Sequence, residues 1–168
     1  SARTLRRARA EHPIAAVQSE YSLWTRNPEI AVLEACREAD TLFVAFSPLG
    51  RGFLAGAVRD SEGLVEGDVR VGMPRFSAEN LARNLGLLAE LEAVAGEFEV
   101  TSGQLALAWL RARGDDIIPI PGTRSIAHMR ENLAAGGLQL DAAGVARLDA
   151  LFAPERIAGA RYGEALPA

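Results

Sequence analysis

The chain has no lysine: all eighteen of its basic residues are arginines. Any mechanism that needs a lysine as Schiff-base former, proton donor or acidifying neighbour therefore cannot be completed within it. Cysteine occurs once, at Cys36, which excludes an internal disulfide and makes a reducing, cytoplasmic setting the simplest reading. No apolar run approaches the length of a membrane span, and the opening residues carry no signal-peptide pattern, so no membrane partner is expected. A net charge of −4 argues against broad electrostatic binding to nucleic acid. The two histidines, His12 and His128, have no metal-ligand spacing, and neither a P-loop nor a G-x-G-x-x-G is present.

What remains is an ordinary globular composition over 168 residues, enough for one domain with a real core. The chain opens on Ser1, as expected of a segment cut from a longer protein. Residues 2–11 read as a helix with Leu5 and Ala8 facing inward. Ile14 to Tyr21 reads as a short buried strand whose polar residues cluster at its end. Asn27, with Pro28 behind it, signals a helix start, and Ile30, Leu33 and Ala35 are the residues that helix would bury. Leu42 to Ala45 forms a second strand, followed by roughly thirty residues without periodicity, through Phe76, a length usual for a lid or binding loop. Ser77 opens a helix bearing Leu81, Leu85, Leu88 and Leu91. Thr101 and Gln104 make a capping box for the next, which ends at Gly114. Asp116 to Ile120 is the third strand, Ser125 to Ala134 a helix, and Asp141 caps a last helix reaching Phe152. The tail from Pro154 reads as irregular.

Apolar strands alternating with helices predict an α/β domain with a parallel sheet, residues 1–168 forming one unit. Ligands of such sheets gather at the C-terminal strand ends, and all three strands place polar or glycine-rich residues there. The run Pro121-Gly122-Thr123-Arg124-Ser125 with His128 offers free backbone amides, a hydroxyl and a guanidinium at one helix start, which suits a phosphate. The competing reading of the same residues is a plain turn with a capping serine. Arg51 is expected to face the same region. Glu20 has no second carboxylate at an equivalent strand end, which argues against a glycosidase pair. Ser47 lacks a nucleophile elbow, and Cys36 and Trp109 read as helix core.

The blocks Val17-Gln18-Ser19-Glu20-Tyr21-Ser22-Leu23-Trp24, Phe46-Ser47-Pro48-Leu49-Gly50-Arg51-Gly52-Phe53-Leu54, Gln104 to Leu110 and Ile118 to Thr123 closely resemble the aldo-keto reductases in order and spacing. The likeness is strongest to the bacterial, pyridoxal reductase-like oxidoreductases of that family. It implies the C-terminal part of a (β/α)8 TIM barrel, with about three parallel strands and covering helices. It also implies NADPH (NADP) as cofactor and hydride transfer to a small aldehyde or ketone. By resemblance, Gln18 holds the nicotinamide carboxamide and Phe46, where tyrosine is common, stacks on its ring. Ser47, Pro48, Leu49, Gly50 and Arg51 line the pyrophosphate, with the long loop closing over it. Gly122, Thr123, Arg124 and His128 receive the 2′-phosphate and ribose, with His128 standing where arginine is frequent. Glu131 and Asn132 meet the adenine edge, and Tyr21 and Trp24 approach the substrate.

The family's catalytic tetrad of Asp, Tyr, Lys and His belongs to the barrel's first half, which this chain does not resemble. The resemblance therefore implies no catalytic residue here, no turnover by this chain alone, and weak or absent NADPH binding. Two alternatives stand at this point. One is a non-catalytic nucleotide-binding or oligomerising module that self-associates through open sheet edges. The other is an unrelated phosphate-binding barrel fragment.

Overall fold

Three short apolar runs become three strands, β1 (Ala16–Glu20), β2 (Leu42–Phe46) and β3 (Ile117–Ile120). They form one parallel sheet in the order β1-β2-β3, with Gln18 opposite Val44 and Phe46 opposite both Glu20 and Ile120. The structure is a computed structural model that describes residues 1–163. Six helices accompany the sheet: α1 (Ala2–Glu11), α2 (Val32–Glu38), α3 (Ala78–Glu97), α4 (Ser102–Ala112), α5 (Ile126–Ala134) and α6 (Ala142–Leu151).

Strand periodicity sorts the sheet into two unlike faces. Phe43, Ala45 and Ile117 point into the core, where α2 packs on β2 and α4 packs on β3. The core continues through Leu88 and Leu91 of α3, Leu105, Trp109 and Leu110 of α4, and Leu148 of α6. Tyr21 joins it edge-on to Phe43 at 5.9 Å and tilted on Trp109 at 5.5 Å. The alternate residues Leu42, Ile118 and Ile120 lie on the other face and stay exposed. Among the described residues the arc of three strands is open, and β1 and β3 each have one neighbour.

Most helix boundaries follow from their caps. The side chains of Ser77, Thr101, Ser125 and Asp141 each accept a backbone N–H of the following first turn, and Gln104 completes the box with Thr101. The α2 start departs from the sequence reading. Asn27–Ile30 is a 3₁₀ turn, Ala31 leaves the helical region at φ −163°, and the α-helix begins only at Val32. Asn27 therefore caps nothing, and Ile30, on the wrong side of that break, is 83% exposed. Ala8 is likewise exposed, because α1 packs mainly on α2 through Ala2 and Leu5. Leu85 is only half-buried, its place in the α3 stripe being shared by the fully buried Leu88. β1 is half-exposed rather than buried, as a strand with one neighbour must be. The stretch from Ser47 to Phe76 holds 3₁₀ turns at Gly50–Gly52 and Pro74–Phe76, and another at Pro154–Arg156 interrupts the tail. The rest of the expected irregular tail, 164–168, lies outside the described residues.

Candidate functional site

The C-terminal ends of β2 and β3 open into a cavity of about 460 Å³. Two loops and two helices build it. After β2 the backbone turns through left-handed conformations at Ser47 (φ 52°), Gly50 (57°), Arg51 (56°) and Gly52 (91°). Such a run of positive φ in residues with side chains is costly, and is retained where the surroundings hold it. Here Trp24 does so. A Cβ on Gly50 would stand 2.5 Å from the indole Nε1, so only glycine lets the loop lie on that ring. Trp24 is fixed in turn by a parallel stack on Phe53, with centroids 4.1 Å apart.

The opposite wall is the start of α5. Ser125 Oγ accepts from the His128 N–H at 3.3 Å, and Thr123 Oγ1 accepts from the Ser125 N–H at 3.1 Å. These two hydroxyls order the turn, while the remaining first-turn amides of α5 have no intrahelical acceptor. Glu131 lies on the same wall, with its carboxylate accepting from the Thr101 hydroxyl and its carbonyl from Gln104 Nε2 at 3.2 Å.

Nine of the residues expected at a cofactor line this cavity: Ser47, Pro48, Leu49, Arg51, Gly122, Thr123, His128, Glu131 and Asn132. Gly50 sits behind the lining, against Trp24. Arg124 is exposed, outside the lining, and makes no ion pair among the described residues. Gln18 and Phe46 are on the uncovered sheet face, outside the cavity. Sequence reasoning missed Gly52, Ala55, Ala57 and Gly103, and had Pro121 only as part of the turn before α5. Gly103 carried a usable signal: it opens α4 against Ala55 and Leu49, where a larger side chain would fill the cleft.

Tyr21 is fully buried and turned away from the cavity. Its hydroxyl donates to Glu29 Oε1 at 2.6 Å, and burial together with that carboxylate raises its pKa well above the usual tyrosine value. Trp24 borders a second cavity, of about 570 Å³, formed with Arg75 and the chain after α6.

Arg51 faces the first cavity but is already engaged. Its Nη1 and Nη2 donate to the two carboxylate oxygens of Glu20 at 3.1 and 3.0 Å. The C-terminal tail closes over this pair, Arg161 Nε donating to Glu20 at 3.0 Å and Tyr162 Oη at 3.2 Å. Burial pushes the Glu20 carboxyl up, but Arg51 and Arg161 outweigh it and hold the group below its usual value. No cluster of potential metal ligands occurs among the described residues, and none of their helices is long and apolar enough to cross a membrane.

These features have known counterparts. The chain is 45% identical over 165 residues to the NADP(+) aldo-keto reductase yakc of Schizosaccharomyces pombe, covering 96% of this chain and 48% of that protein. It thus spans about half the length of the relatives it matches. Its structure is similar to an aldo-keto reductase from Klebsiella pneumoniae solved with NADPH, at 27% identity and a TM-score of 0.63, over 91% of this chain and 44% of the other. The glycerol dehydrogenase of Gluconobacter oxydans shares the fold at 22% identity and a TM-score of 0.80, over 87% and 45% of the two chains. The family model for aldo/keto reductases matches residues 1–153. The chain belongs to the aldo/keto reductase family.

Proposed function

We propose that this chain is the NADP(H)-binding portion of a carbonyl reductase whose complete form transfers hydride to aldehydes or ketones in the cytoplasm. The observation that carries the reading is the cleft between the loop after β2 and the start of α5, lined by nine of the residues expected at a cofactor. Its chemistry suits a dinucleotide. The first-turn amides of α5 and the Arg51 guanidinium favour phosphate, and Arg124 and His128 at the rim suit the 2′-phosphate. Gly103, Ala55 and Ala57 leave room for a flat ring. When bound, NADPH supplies the hydride; the chain's own residues bind, orient and exclude water.

The chain has no lysine, and its two tyrosines, Tyr21 and Tyr162, donate to Glu29 and Glu20, so neither is placed as a lysine-tuned acid. We therefore expect weak NADPH binding and no reductase turnover. Calorimetric titration with NADPH and NADH tests the first part, with NADPH preferred and that preference lost in Arg124→Ala. A response to a sugar phosphate but none to NADPH would overturn the dinucleotide reading of the cleft. Oxidation of NADPH with a simple aldehyde at ordinary enzymatic rates would overturn the second part.

The exposed Leu42, Ile118 and Ile120 beside two unpaired sheet edges favour a second reading, self-association. Light scattering after size exclusion tests it, a stable monomer counting against edge pairing.

A further inference from the structure

The second cavity shares no lining residue with the first, though Trp24 in its wall also supports the loop after β2. Its walls are Trp24, Ile30, Phe152, Pro154 and Ile157, with Arg26, Glu29 and Arg75 as the charged groups.

Two of those charges are already matched. Arg26 grips Glu29 with Nε at 2.9 Å and Nη2 at 2.8 Å, and meets Asp149 with Nη1 at 3.0 Å. Arg113 closes the set, 3.0 Å from Asp149 and 3.5 Å from Glu29, so two guanidinium groups balance two carboxylates.

Arg75 is different. Its Nη1 donates to the Trp24 carbonyl and, at 2.9 Å, to Thr25 Oγ1; its Nε donates to the Gly159 carbonyl at 3.4 Å. All three acceptors are neutral. Among the described residues no carboxylate pairs with it, and its Nη2 has no acceptor. The guanidinium lies over the Trp24 ring, 5.1 Å from the centroid, which fixes its plane. Burial, joined by the nearby Arg161 and Arg51 and opposed by Glu20, lowers its pKa to about 10. Three arginines thus share one carboxylate at this corner of the molecule. A half-buried cation with a free donor edge is stabilised by an anion that brings its own desolvated charge.

We propose that this cavity binds an organic monocarboxylate with an apolar body, its carboxylate accepting from Arg75 Nη2 and its body lying against Ile30, Pro154 and Ile157. The volume of about 570 Å³ is in the range of small-molecule sites, and the walls supply the mixture such sites use: apolar surface with a few placed polar groups, of which Arg75 is the cation without a carboxylate partner among the described residues. A multiply charged ligand is disfavoured, because Arg26 has no free partner to offer and Glu29 would repel it.

The test uses the intact chain with octanoate as probe, and octanol as its uncharged counterpart, followed by calorimetry and by the fluorescence of Trp24 and Trp109. Octanoate is expected to bind saturably and at least tenfold tighter than octanol. Arg75→Gln should abolish that difference, and Ile157→Trp, which fills the space but keeps the cation, should remove binding of both. If Arg75→Gln fails to fold, Ile157→Trp alone decides. Octanoate binding that survives Ile157→Trp, is no tighter than that of octanol, or does not saturate would overturn the assignment. No nucleotide enters the experiment, so its outcome is separate from that of the cofactor reading.

Discussion

The ends of β2 and β3 and the end of β1 are neighbours in one sheet, yet they are finished in opposite ways. At β2 and β3 the wall is made of backbone turns, small side chains and the open first turn of α5, leaving a cleft. At β1, Glu20 is fully buried and surrounded by Arg51, Arg161, Tyr162 and Thr25, each donating to it. One region keeps donors in reserve for a ligand; the other surrounds its buried carboxylate with donors from within the chain. A binding surface needs unspent hydrogen-bonding capacity, whereas a buried charge tolerates none. Arg51 belongs to both regions: it lines the cleft and its guanidinium is held by Glu20.

The contrast can be broken at the sealed end first. Glu20→Ala should destabilise the chain by about 3–5 kcal/mol in chemical denaturation, because it leaves two buried guanidinium groups without their carboxylate. A loss no greater than that of a cleft substitution would end the distinction. Acid should find the same weakness. Glu20 and Glu29 both titrate below the usual glutamate value of 4.5 in the folded chain. Their stabilisation is therefore complete above about pH 4.5 and is lost as the pH falls through their lowered folded values, which melting curves between pH 7 and 3 would follow. At the hinge between the regions, Gly50→Ala must place a Cβ inside the Trp24 indole at φ 57°. A cost of about 1–3 kcal/mol is expected, together with weakened NADPH binding by calorimetry. The smallest effect belongs to the open end: Ser125→Ala removes the α5 cap and should cost about 1 kcal/mol while weakening nucleotide binding several-fold.

Where a signal was local, the sequence carried it. Ser77, Thr101 with Gln104, Ser125 and Asp141 are caps whose bonds span three residues, and each sits where its pattern places it. The Pro-Gly turn before α5 and the glycine-rich loop after β2 were legible for the same reason. Asn27 misled because Pro28 also suits a 3₁₀ turn, and Ala31 breaks the run before α2 begins. Ile30 and Ala8 were misjudged because helical periodicity assumes a neighbour on the apolar side, and neither residue has one. The Glu20 cluster had no signature at all: Arg161 is 141 positions away, and nothing near either residue announces the pairing.

By itself the amino-acid sequence determined the family, a parallel sheet of three strands, the caps of α3 to α6 and the absence of lysine chemistry. These depend on contacts within a few residues, or on composition, which no fold alters. Only the tertiary structure decided that Tyr21 is spent on Glu29, that Arg51 is shared between cleft and core, and that Arg75 has no carboxylate partner among the described residues. Those outcomes turn on which distant charges meet in a dry interior. There the strength of an ion pair depends on burial and geometry that no local pattern encodes.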